Sequence, residues 1–276
     1  MKYKSVELPG QEFETKLELF KALKAEKEII IGLKKAVKTS LPVKAVYLNE
    51  EKETVKGVSI KDGESLHVIN TTGVLDSHND LHVKGIWSKS VKEQKGKVFF
   101  LADHNMSIAS VIAHPKDVNM SVKSMSWADL GFKFEGTTDA LVFGIESKNI
   151  RHKEALYIIE NKIDIQHSVR MSYVKVELAI NSEDKDFTEE KAVWNKYLPT
   201  VVNKEDAEKQ GFMWIVKEAK IEKEGSMVLL GSNSATPMLN STESKEEKAL
   251  AIEQEKALEL ENEKIKNNKD ESYMYF

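Results

Sequence analysis

The chain has 276 residues, 41% of them hydrophobic and 31% charged, enough apolar content for one large domain or two small ones. It contains no cysteine, which excludes disulfides, thiolate metal sites and a cysteine nucleophile, and fits a cytoplasmic protein. Its net charge of −4 argues against a nucleic-acid binder, and no apolar run reaches the roughly 20 residues that a membrane span needs. The opening Met1-Lys2-Tyr3-Lys4 leads into polar sequence, so no signal peptide is expected. The charge is uneven: residues 241–276 hold six lysines and ten acidic residues, which is the whole of the imbalance and marks the tail as a separate segment.

In chain order, residues 12–38 keep a helical apolar stripe through Phe13, Leu17, Phe20, Ile30, Leu33 and Val37, and Leu41-Pro42 ends it. Short strand-like runs follow at 43–48, 54–60 and 66–70, separated by Asn49-Glu50 and Asp62-Gly63. The pattern predicts further strands at 98–102, 107–113, 120–125, 131–134 and 140–145, a helix at 153–161 and a long strand at 169–180. Residues 181–210 are polar and partly helical and read as a surface insertion. Two last strands are expected at 212–221 and 226–230. The body is therefore expected to be a β-rich α+β domain, without internal repeats. Three parts are expected: a helical segment over 1–42, a main domain over 43–239, and a charged helical tail over 240–276. In the tail, Ala251, Leu258 and Ile265 recur at sevens without a second apolar column, which fits a solvated helix rather than a stable coiled coil. The small residues of 231–237 read as a flexible linker.

Four groups of residues carry candidate chemistry. His104 ends the apolar strand 98–102, where an imidazole at a sheet edge can act as a base. Ser168 opens the long strand, a place where a hydroxyl nucleophile is held rigidly. Asp76, His78, Asp80 and His82 alternate and would share one face of a strand, as a divalent-metal site requires. Glu224 precedes a strand and is placed to orient a histidine. Arg151 and Arg170 are the only arginines in the chain, and both flank the segment holding Ser168.

Taken in order, these pieces resemble the prohead (capsid maturation) serine protease family of tailed bacteriophages. Four blocks carry the resemblance: Thr72-Gly73-Val74-Leu75-Asp76-Ser77-His78-Asn79-Asp80 followed by Gly85-Ile86-Trp87; Leu101-Ala102-Asp103-His104; His167-Ser168-Val169-Arg170-Met171; and Glu224-Gly225-Ser226-Met227-Val228 followed by Gly231-Ser232-Asn233. Arg170 stands where the family often has glycine.

The resemblance implies a herpesvirus-protease-like fold, a β-rich closed barrel of mostly antiparallel strands with flanking helices. It implies Ser168 as nucleophile, His104 as general base and Glu224 as the third member, with Asp103, His78 and His114 as alternatives for that third place. Backbone N–H groups near Val169 and Arg170 would bind the oxyanion. Ser168 and His104 are then expected within hydrogen-bond reach of each other. The implied activity is cleavage of the phage major capsid protein and scaffold precursors inside the assembling procapsid, in the host cytoplasm, with loss of the C-terminal tail by self-cleavage through the linker at 231–237. No cofactor, metal, nucleic acid or membrane is implied, and a homo-oligomer is compatible with it. Two rivals stand beside this reading: a catalytically silent structural or scaffolding head protein, and a metal-dependent hydrolase built on Asp76, His78, Asp80 and His82.

Overall fold

The computed structural model describes residues 2–36, 60 and 63–240. The strands expected at 43–48 and over most of 54–60, and the charged tail from residue 241, lie outside the described residues. The chain opens with α1 (Lys16–Ala25) and α2 (Lys27–Lys35) where one helix was expected. Thr15 and Glu18 close a capping box at the start of α1, and Glu26 ends it. Leu23 and Ile30 are both buried and lie seven residues apart, so one apolar stripe runs through both helices and conceals the break.

Then come β1 (Glu64–Thr71), β2 (Asp80–His82), α3 (Ser88–Gln94), β3 (Phe99–Ala102), β4 (Val111–Ala113), β5 (Asn119–Ser126) and β6 (Thr137–Glu146). The chain continues through α4 (Lys153–Glu160), β7 (Gln166–Ile180), α5 (Thr188–Tyr197), α6 (Lys204–Gln210), β8 (Phe212–Val228) and β9 (Met238–Asn240). One sheet runs β5-β6-β1-β9, antiparallel throughout. The other is organised on β8. Strand β7 pairs antiparallel along one edge of β8; on its other edge β2 and then β3 pair parallel, with β4 beyond β3.

The expected closed barrel does not form. The architecture is α+β with two open sheets. Both edges of β1 are taken by β6 and β9, and both edges of β8 by β7 and by β2 with β3, while β2 and β4 are only three residues long. Among the described residues no ladder joins one sheet to the other. Instead the sheets share a core. Ile69, Leu141 and Phe143 of the first sheet pack with Phe100, Val169 and Met227 of the second. Gly225 makes that approach close, since a Cβ there would lie 2.7 Å from Phe143 Cε2.

Other expectations also change. The two strands expected after residue 211 are one 17-residue strand, β8. Residues 131–134 form no strand; Phe132 and Phe134 stack on each other and meet Trp127 edge-on. The segment 181–210 is not confined to the surface, because Phe187, Trp194 and Ala207 in it are buried in two clusters.

The N-terminal helices are joined to the body by apolar and ionic contacts. Leu19, Phe20, Leu23, Ile30 and Ile31 share a cluster with Leu178, Ile180, Phe212 and Trp214. Beside it Lys34, only 4% exposed, pairs with Asp80 at 2.5 Å and Glu7 at 3.3 Å, and donates to the His78 carbonyl at 3.1 Å. Burial alone would lower the lysine pKa, but the Asp80 and Glu7 carboxylates outweigh it and hold the pKa above the ordinary value. Lys34→Met removes the cation and leaves the Asp80 and Glu7 carboxylates without their counter-charge. It is expected to destabilise the fold by about 3–5 kcal/mol, read from the urea midpoint. An unchanged midpoint would show that the carboxylates discharge without a structural cost.

Candidate active site

Strand β3 ends at Ala102, and the next two residues, Asp103 and His104, both adopt left-handed backbone, with φ of 53° and 54°. Two consecutive non-glycine residues in that region are strained and persist only where the surroundings hold them. The turn folds the His104 imidazole back onto β8, where Nδ1 lies 2.7 Å from Glu224 Oε1. Glu224 is completely buried. Its other oxygen, Oε2, accepts from Ser226 Oγ at 2.7 Å, and Ser226 Oγ in turn accepts the His104 backbone N–H at 3.2 Å. A carboxylate oxygen facing Nδ1 places the imidazole proton on Nδ1 and leaves the Nε2 lone pair free. Nε2 is buried and has no hydrogen-bond partner. A buried acceptor left unpaired is costly, and such groups concentrate where chemistry occurs.

Strand β7 alternates. His167, Val169, Met171 and Tyr173 are buried, while Gln166, Ser168, Arg170 and Ser172 are half-buried. Ser168 pairs directly with Ser226 across the β7–β8 ladder. Paired residues point to the same face with Cβ atoms about 4.5–5.5 Å apart. Ser168 therefore opens on the face that carries Ser226, Glu224 and the folded-back imidazole. The expected hydrogen bond from Ser168 Oγ to His104 Nε2 is not made, since Nε2 has no partner. The ladder shifts register between Val169 and Met171, and Arg170 has no cross-strand partner in β8. Bulges of this kind re-aim backbone next to active sites. Arg170 is not among the residues with positive φ, so standing where the family often has glycine introduces no left-handed strain.

The structure separates the remaining candidates. Asp103 is exposed and His114 meets Phe99 edge-on; Glu224 alone accepts from His104 Nδ1. Asp76, His78, Asp80 and His82 do not converge. Only residues 80–82 are strand; Asp76 Oδ1 accepts the backbone N–H groups of His78 and Asp80, at 2.8 and 2.9 Å, and Asn79 takes a left-handed φ of 57°. The Lys34 ammonium sits on Asp80 where a metal cation would have to go. Both His82 nitrogens are engaged, Nδ1 with Asn70 at 3.2 Å and Nε2 with Tyr173 at 3.0 Å. Among the described residues no group of three or more metal-binding side chains is arranged to hold an ion.

Residues 231–237 are not a flexible linker. Asn233 and Thr236 are buried; Asn233 Nδ2 donates to the Thr71 carbonyl at 2.9 Å, and Thr236 Oγ1 donates to the His167 carbonyl at 2.9 Å. The segment is built into the body by β9, which pairs with Ser65, Leu66 and His67 of β1.

One feature of the site went unread in the sequence. Behind Ser168, on the opposite face of β7, His167 Nδ1 meets the Thr236 carbonyl at 2.9 Å and its Nε2 lies 3.0 Å from His67 Nδ1; His67 Nε2 lies 2.9 Å from Ser65 Oγ. Because a carbonyl only accepts, the proton positions run in one direction, with Nδ1–H on both rings. Burial drives both imidazoles toward neutrality, His167 to about 4 and His67 well below its ordinary value, the latter aided by its histidine neighbour. The four residues tie β1, β7 and the C-terminal segment together on the face of β7 opposite Ser168.

Comparisons of the chain with protein-family models, with curated proteins and with solved structures return no match.

Proposed function

We propose that the chain is a serine endopeptidase with Ser168 as nucleophile, His104 as general base and Glu224 as the group that orients the imidazole. The observation that carries the reading is the pairing of His104 Nδ1 with buried Glu224 at 2.7 Å while Nε2 remains buried and unpartnered. In the proposed cycle Ser168 Oγ attacks the peptide carbonyl and His104 Nε2 takes its proton. The same proton passes to the leaving amine, and the acyl-enzyme is then hydrolysed by water. Glu224 stabilises the imidazolium, and the backbone at Val169 and Arg170 supplies donors to the oxyanion. The resemblance of the four ordered blocks to prohead proteases directs the substrate proposal to scaffold and capsid precursors in a procapsid. Self-cleavage then falls beyond Asn240, because residues 231–240 are part of the fold.

A fluorophosphonate reagent tests this directly. One label per chain is expected, mapped by peptide mass to Ser168, with the Ser168 Oγ–P bond formed, fluoride released and the hydroxyl proton taken by His104. A label on Ser172 instead would move the nucleophile; Ser172 Oγ now donates to Glu222 at 2.8 Å. The second reading, a catalytically silent head protein, is favoured by the one missing contact, Ser168 to His104. A folded protein that takes no label at any serine would decide for it.

A further inference from the structure

Ser226 belongs to no role assigned so far, yet it touches two parts of the proposed site. Its hydroxyl has one proton and two lone pairs, and both kinds of bond are used. It donates to Glu224 Oε2 at 2.7 Å and accepts from the His104 backbone N–H at 3.2 Å. It is completely buried and sits in the ladder row between Ser168 of β7 and Leu101 of β3. A carboxylate held at one oxygen only is free to rotate about its terminal torsion, which is broad for glutamate. Held at both oxygens, its Oε1 is fixed toward Nδ1. The bond from the His104 backbone N–H acts on the main chain that carries the same imidazole. It supports the left-handed turn, with φ of 53° and 54° at Asp103 and His104, that folds the ring back over the sheet.

We infer that Ser226 is a positioning residue of the His104–Glu224 pair, setting the carboxylate through its donated hydrogen bond and the imidazole through the backbone bond it accepts. The inference rests on the protease reading for its consequence, but the arrangement is observable without any activity. Substituting the hydrogen-bond partners that orient metal-ligating histidines costs about 10- to 100-fold, and an effect of the same order is expected for this metal-free His–Glu pair. In Ser226→Ala the rate of fluorophosphonate labelling at Ser168 is expected to fall by about that factor. Ser226→Thr, which keeps the hydroxyl, should restore most of it.

The decisive readout is spectroscopic. In the native protein the His104 Nδ1–H should give a low-field proton resonance, and the His104 backbone N–H should be protected from solvent exchange. In Ser226→Ala the first should shift or broaden and the second should lose protection; Ser226→Thr should retain both. A Ser226→Ala protein with native resonances and native labelling rate would overturn the inference. Should that variant not fold, the native protein still decides: a His104 backbone N–H exchanging at the rate of a free peptide would show that Ser226 holds nothing. If the native protein takes no label while the resonances behave as described, the protease reading falls and the positioning role of Ser226 stands.

Discussion

Ser168→Ala is expected to abolish cleavage and labelling together, with a loss on the order of 10⁴- to 10⁶-fold, because members of a nucleophile–base set act as a unit. The fold should be unaffected. Ser168 is half-buried, and its removal strands no buried partner. For the base, His104→Asn is the informative substitution. Position 104 has a φ of 54°, which asparagine tolerates better than alanine, and its amide can still donate toward Glu224. It should be as inactive as Ser168→Ala, and the double variant no worse than either. The readout is intact mass over time. The unmodified protein should shorten from its C-terminus at a bond beyond Asn240, and both variants should stay full length. Equal trimming in all three would point to a contaminating protease and remove the self-cleavage claim. Trimming that persists in Ser168→Ala but stops in Ser172→Ala would reassign the nucleophile.

Much of this site was legible from residue order, and the parts that were not have physical reasons. His104 at the end of an apolar strand, Glu224 before another and Ser168 at the start of a third are local features; the structure puts Glu224 on β8 and Ser168 on β7 of one sheet, with His104 in the turn that follows β3 of the same sheet. What local pattern does not show is how strands align. Residues 222–225 fall between the two strands expected at 212–221 and 226–230. In β8 they instead form an irregular stretch of one strand, with Lys223 at a φ of 73°, and the ladder shift opposite Arg170 falls there. That irregularity brings Glu224 beside His104. Strand β2, three residues paired parallel to β8, is too short for a period-2 signal. Barrel closure was an inference from resemblance alone, and among the described residues no ladder joins the two sheets. The alternation of Asp76, His78, Asp80 and His82 suggested one shared face, but the turn at Asn79 breaks it. The cation that completes Asp80 comes from Lys34, 46 positions away in sequence, which no spacing argument reaches.

Stability should peak near pH 6.5 and fall steeply on the acid side, and the sign follows from four buried groups. His82 and His167 have folded pKa values near 4 because burial disfavours their charged forms, and His67 lies lower than its ordinary value for the same reason. Unfolded, each titrates near 6.5. Below that pH the unfolded chain binds more protons, so each histidine removes stability as pH falls, by about 1.4 kcal/mol per pH unit down to its folded pKa. Asp76 acts the other way. Burial, and the Asp80 carboxylate beside it, raise it from 3.8 to about 8, so its contribution is full at low pH and is lost as pH rises through 8. Below pH 6.5 three histidines oppose one aspartate, and net stability should rise with pH up to that point. From 6.5 to 8 the histidines no longer contribute, and the aspartate should make stability decline as pH rises. For a domain whose whole stability is about 5–15 kcal/mol, the step from pH 6.5 to pH 5 removes a large share of it. Urea midpoints at pH 8, 6.5 and 5 measure the curve. His167→Gln should flatten the acid limb by about one histidine's worth, 1.4 kcal/mol per unit. A midpoint unchanged between pH 6.5 and 5 would mean that the buried imidazoles take up protons without opening the fold, and that the hydrogen-bonded run from Ser65 through His67 and His167 to Thr236 does not hold the C-terminal segment in place.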